Sequence, residues 1–173
     1  MVKKLQQVMR PQDILLLLKI VAQGDQSWYH HTLADALFMS QSEVSKSLER
    51  SRHAGLMDAS RKMVMKQSLL EFLQYGIRYV FPQQPGPVVR GVPTAHSASP
   101  LKEQIASNEK YVWPSATGSD RGQSIIPLYP SVPRAVKLDA DLYNMLALVD
   151  AIRVGKARER EMAVDLLKDV FNV

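Results

Sequence analysis

Between residues 11 and 81, apolar positions recur three and four apart. Ile14, Leu15, Leu18 and Val21 predict a helix with Pro11 at its first position and Gly24 as its stop. The stretch GDQSWYHH reads as a loop. Leu33, Ala34, Leu37 and Phe38 predict a second helix, opening at His31 or Thr32. MSQS is a turn. Ser40 with Glu43 three residues later spells a reciprocal capping box, in which each side chain satisfies the other residue's backbone N–H. The helix it opens runs to about Ala54 and stops at Gly55. LMD and MVM, on either side of ASRK, predict two short strands joined by a turn. Leu69, Leu70, Phe72, Leu73 and Ile77 predict a fourth helix.

The pattern then changes. Nine of the ten prolines fall between Pro82 and Pro133. FPQQPGPVVRGVPTAHSASPL has too many for a helix or a central strand, and EKYVWPSATGSDRGQSIIPLYPSVP reads as extended segments and turns. Only SPLKEQIA predicts a short helix there, with Ser99 as N-cap and Pro100 behind it. Val92, Leu101, Ile105, Val112, Trp113, Ile125, Ile126, Leu128 and Tyr129 still supply apolar surface. An ordered, irregular segment wrapped on the helices is therefore expected, not a flexible linker. From about residue 138 helical spacing returns. Leu142, Met145, Leu146, Val149 and Ile152 share one face; Ala163, Val164, Leu167, Val170 and Phe171 share another. Gly155 lies between them, so a helical hairpin or one kinked helix is predicted. Three regions result: 1–81, 82–137 and 138–173.

Composition adds limits. With 46% apolar and 23% charged residues, the 173-residue chain can bury a core. It has no cysteine, which excludes a disulfide framework, a thiolate zinc site and a cysteine nucleophile. Lys19 interrupts the apolar run from Ile14 to Val21, and no stretch of about 18 apolar residues occurs, so neither a signal peptide nor a membrane span is read. A cytoplasmic protein is expected. The net charge is +5, made of +4 over residues 1–80, +3 over 81–138 and −2 over 139–173. The basic excess lies away from the C-terminal helices, which suits a nucleic-acid surface in the first half.

The order helix, helix, turn, helix, Gly, short hairpin is that of a winged helix-turn-helix. If Val44, Leu48 and Ser51 face inward, then Gln41, Ser42, Ser45, Lys46, Glu49 and Arg50 face outward. Such a helix enters the major groove of double-stranded DNA N-terminus first. Gln41 and Ser42 would reach base edges. Lys46 and Arg50 would reach a base or phosphates, and Arg61 and Lys62 sit at the hairpin tip, where a wing meets the DNA backbone. Glu49 repels phosphate unless it reads a cytosine amine or pairs with Lys46 or Arg50.

The stretch TLADALFMSQSEVSKSLERSRHAGLM resembles the helix-turn-helix core of MarR-like and related bacterial winged-helix regulators, on the pattern LA..L..S.S.VS..L.R....GL. The resemblance is close over residues 32–57 and loose over 11–80. It implies a mainly α, winged helix-turn-helix fold with recognition helix 41–53 and wing 57–65. The function it implies is that of a transcriptional regulator working as a homodimer. The apolar faces of residues 1–23 and 139–171 are the candidate dimer surface. RGVPTAHSASPL, VWP and RGQSIIPLYPSVP fall outside the pattern. The alternative is an antitoxin or adaptor that holds an operon-encoded protein through residues 82–173.

Other chemistry is thin. His30, His31, His53 and His96 have no metal-ligand spacing, so no metal or cofactor is expected. HSAS at 96–99 sets a serine beside a histidine without a nucleophile elbow, so no enzyme is expected. Gly91 and Gly122, each after an arginine, read as turns. Trp28 and Trp113 read as packing residues.

Overall fold

The structure, a computed structural model, describes residues 7–173. The chain is mainly α with one small sheet. Helix α1 (Pro11–Ala22) opens on Pro11 and gives way to Gly24 at φ +60°. Helix α2 (His30–Leu37) begins a residue or two before the expected start, because Thr32 Oγ1 accepts the Tyr29 N–H at 3.0 Å. Phe38, in a left-handed conformation at φ 52°, then begins a three-residue turn. Helix α3 (Gln41–His53) follows, ended by Gly55 at φ +81°. The expected capping box is only half formed: Ser40 Oγ accepts the Glu43 N–H at 3.0 Å, but the Glu43 carboxylate turns away to Arg50 and Gln12.

The hairpin after α3 is smaller than two strands. Met57 and Val64 form a single antiparallel bridge, closed by a bond from Met65 N–H to the Leu56 carbonyl. Helix α4 (Lys66–Tyr75) and the short α5 (Ile77–Val80) complete the first region.

Prolines in the middle segment punctuate strands. Strand β1 (Val88–Pro93) starts just after Pro87 and ends on Pro93, and β2 (Tyr111–Pro114) ends on Pro114. Inside those limits the backbone N–H groups are free to pair. Strand β1 is antiparallel to β2 (Val92 opposite Trp113) and to β3 (Asp120–Ser124; Val89 opposite Gly122), while β2 and β3 run parallel, so the three strands close on one another. The expectation that residues 81–101 hold no central strand is therefore wrong, since β1 pairs on both sides, while β2 and β3 lie in the stretch read as extended segments and turns. The reading of Gly91 and Gly122 as turns is also wrong, since both lie in strands. A Cβ on Gly91 would stand 2.1 Å from the Trp113 carbonyl oxygen, and one on Gly122 2.6 Å from that of Lys110. These glycines allow the close backbone approach that a three-strand closure requires. SPLKEQIA forms only a single 3-10 turn, Leu101–Glu103.

Helix α6 (Val132–Ala135) leads to α7 (Ala140–Val154), and after Gly155 comes α8 (Ala157–Phe171), so the end is two helices packed together. Two helices form the centre. Residues Asp13–Leu18 of α1 are all fully buried, as are Met145–Ile152 of α7 to within 2%. A helix apolar on all sides belongs in the interior. Helix α1 packs on α2, α3 and α7, while α7 also packs on α5, α8 and the turn at Ala95–Ser97. Asp139 caps α7 by accepting the Leu142 N–H at 3.0 Å and holds Lys19 of α1 at 2.6 Å.

The helix faces expected to form a dimer surface are thus used inside one chain. Residues 1–6 of that candidate surface lie outside the described residues. Leu101, Trp113, Ile125, Leu128 and Val132 of the middle segment join the same hydrophobic core. No helix among the described residues is long and apolar enough to cross a membrane.

Candidate nucleic-acid interface

Helix α3 has two unlike sides. Val44, Leu48 and Ser51 are buried, as their spacing predicts. Gln41, Ser42 and Lys46 are exposed and Ser45 is half-exposed, so the leading end of the helix presents short hydrogen-bonding groups and one cation. Lys46 has no ion-pair partner among the described residues.

Arg50 does not belong to this face. It is 7% exposed and points inward to Asp13, which is fully buried in the first turn of α1. Arg50 Nη2 lies 2.7 Å from Asp13 Oδ1 and 2.6 Å from Glu43 Oε1, and Arg50 Nε donates to Asp13 Oδ2 at 2.9 Å. Ser47 donates to Asp13 Oδ1 at 2.6 Å, and the Arg10 N–H to Oδ2 at 2.8 Å. Burying this carboxylate costs desolvation, and the three residues that donate to it offset that cost, so removing one partner would leave a charge uncompensated. The bond to Asp13 first, and then that to Glu43, holds the Arg50 guanidinium above its ordinary pKa. Burial pushes the Glu43 carboxyl up, but hydrogen bonds from Arg50 and Gln12 outweigh it and leave it below the usual range. The sequence hides this because a helical position 50 falls at the border of the two sides. Asp13, a lone carboxylate at the head of an apolar run, was the available signal.

Glu49 is neutralised by other partners than those expected. Its carboxylate takes Arg52 at 2.5 Å and Arg61 at 3.7 Å. The Arg52 bond holds it below the usual carboxylate range. The Arg61 contact links α3 to the hairpin tip. That tip is organised by Asp58, which accepts from Ser60 Oγ at 2.5 Å and from the Lys62 and Met63 N–H groups at 3.0 and 2.9 Å. The Ser60 bond first, with those backbone bonds, lowers its pKa to about 2. Arg61 and Lys62 are exposed beyond it.

A groove of about 1000 Å³ separates the hairpin tip from the α1–α2 connection, and Gln41, Arg61 and Lys62 all line it. The structure thus brings three of the expected residues together, leaves Ser42, Ser45 and Lys46 on the adjoining helix surface, and removes Arg50. Lys66, His30 and His31 also line this groove and were not expected there. So does the half-buried Trp28, which packs against the core as read from the sequence, with the exposed Tyr29 beside it. Their signal was the run WYHH, which reads as a plain loop until the hairpin is seen opposite it.

A scan against protein-family models, a search of curated proteins and a search of solved structures each returned no match.

Proposed function

We propose that this chain is a sequence-specific binder of double-stranded DNA, of the winged helix-turn-helix kind, acting as a transcriptional regulator. The observation that supports it most is the asymmetry of α3. Its trailing half is fastened to α1 by the buried Arg50–Asp13 pair, and its leading half carries the exposed Gln41, Ser42, Ser45 and Lys46. A rigidly held helix with a polar N-terminal end is what a major groove about 12 Å wide admits. Gln41 and Ser42 read base edges, Lys46 meets phosphate, and Arg61 and Lys62 approach the flanking backbone. Arg50 positions the helix instead of touching DNA. Two copies bind adjacent half-sites, and they pair through a surface other than the buried faces of α1 and α7.

Selection of duplexes from a random library, followed by titration at several salt concentrations, tests this. Gln41→Ala and Ser42→Ala should each cost about 1–3 kcal/mol at particular base pairs and leave scrambled duplex unaffected. Lys46→Ala should weaken binding to all duplexes and lower the salt slope by about 0.9. Variants that bind selected and scrambled duplexes like the parent would overturn the proposal.

A further inference from the structure

The groove beside the hairpin carries more aromatic surface than phosphate contact requires. The chain approaches α2 in an extended conformation, with Tyr29 at φ −128° and ψ 158°. Side chains two apart then fall on the same side. Trp28 stacks on His30 with centroids 6.4 Å apart, and Tyr29 on His31 at 5.7 Å, both pairs within 16° of parallel. Tyr29 is 63% exposed, and Met63 across the groove is 67% exposed. Arg61, Lys62 and Lys66 form the opposite wall, and Asp25 is the one acidic side chain among the described lining residues. Flat rings and cations facing one another across a space of this size match a chain that alternates planar bases with phosphates.

We infer that this groove holds an unpaired stretch of a nucleic-acid strand that runs off the duplex bound by α3. Its bases stack on the exposed Tyr29 close to Trp28, which also lines the groove, and its phosphates meet Arg61, Lys62 and Lys66. The inference rests on the duplex reading proposed above. A fully paired strand keeps its base faces inside the duplex, so the rings contribute to binding only where a base is unstacked.

The two tryptophans make the test direct. Trp113 is 1% exposed with its indole N–H on Asp150 at 2.6 Å, so a quencher in the groove reaches Trp28 alone. The full chain is titrated with a selected blunt duplex, with the same duplex carrying an overhang of about six nucleotides, and with nucleoside monophosphates. The overhang should tighten binding about tenfold and quench Trp28 emission. Trp28→Phe should remove the quench. Tyr29→Ala, at an exposed position, should erase the overhang's gain while leaving the thermal midpoint and blunt-duplex affinity unchanged. Equal affinity for blunt and tailed duplexes with no quench overturns the inference and leaves the duplex reading intact. Quenching by monophosphates with no gain from the overhang also overturns it, in favour of a small-nucleotide site. Binding and quenching by the tailed duplex with no binding of the blunt one overturns the duplex reading, and with it a strand that runs off a duplex held by α3.

Discussion

Two buried carboxylates, Asp13 and Asp150, are each held by an arginine, and they differ in what they join. Asp13 draws on Arg10 from its own helix end and on Ser47 and Arg50 from α3. Its partners are thus two neighbouring helices of one region. Asp150 sits in α7, 1% exposed, and gathers Thr94 Oγ1 at 2.7 Å, Trp113 Nε1 at 2.6 Å and Arg153 Nη1 at 2.9 Å. Arg153 Nε goes on to the Phe81 carbonyl at 3.1 Å, and Nη1 to that of Ile126 at 3.4 Å. The second cluster therefore fastens Phe81 and three points along the proline-rich segment, Thr94, Trp113 and Ile126, to α7. The first joins α3 to α1; the second joins the proline-rich segment to α7. Burying a polar group costs free energy unless it is hydrogen-bonded, and in both clusters the donors come from the elements that are aligned.

Removing the carboxylates separates the two. Asp150→Ala leaves an indole N–H and a hydroxyl without their partner and the Arg153 charge facing only carbonyls in the interior, and should cost about 3–5 kcal/mol, the range for breaking a buried ion pair. Asp13→Ala should cost less, because Glu43 still holds Arg50 at 2.6 Å from a half-exposed position. Denaturant unfolding of both variants measures this. An equal loss, or a larger one for Asp13→Ala, would show that the clusters do not differ in reach.

Leu48→Ala supplies the apolar yardstick for the buried side of α3. Leu48 is 1% exposed, and truncating a buried leucine costs roughly 2–4 kcal/mol. If its thermal midpoint were unchanged, the inward side of α3 would have been assigned wrongly. If its loss matched that of Asp13→Ala, packing and charge would hold α3 in place about equally.

The two clusters also mark what the sequence makes legible. Residues 11–81 follow local rules. Helical spacing, Pro11, Ser40, Gly24 and Gly55 place α1, α2 and α3 within a residue or two, because each signal acts within a few residues of itself. The outward end of α3 was readable for the same reason. Arg50 was not, since its inward turn depends on Asp13, 37 positions away. Strand β1 was missed because proline counts argue against strands in general, whereas Pro87 and Pro93 sit at or beyond its ends; β2 and β3 fall in the stretch read as extended segments and turns, but their pairing was not legible. Nothing local tells that Gly91 lies against the Trp113 carbonyl. The groove was half legible: Arg61 and Lys62 came from the hairpin, but Trp28, Tyr29 and Lys66 needed the tertiary arrangement. In α7, Asp150 and Arg153 three apart within LALVDAIRV were the visible trace of the second cluster.

The smallest expected effect concerns a third carboxylate, Asp58, which collects donors at the surface instead of in the core. Its partners, Ser60, Lys62 and Met63, are all within five residues, so it organises only the hairpin tip that carries Arg61 and Lys62. Its pKa is lowered from 3.8 to about 2, first by the Ser60 hydroxyl and then by the backbone N–H groups. A carboxylate whose folded pKa is depressed stabilises the fold above its unfolded pKa, and that contribution is lost as pH falls through the folded value. The tip should therefore keep its order down to about pH 4 and loosen between about pH 4 and 2. Amide chemical shifts of Lys62 and Met63 followed through an acid titration check this, with α1 and α7 amides as the internal reference. Asp58→Asn keeps an oxygen to accept both N–H groups but cannot titrate, so its Lys62 and Met63 amides should show no transition in that window. If Asp58→Asn moved with the parent's midpoint, the transition would belong to wider unfolding. The tip would then draw its order from the Asp13 and Asp150 clusters and not from its own carboxylate.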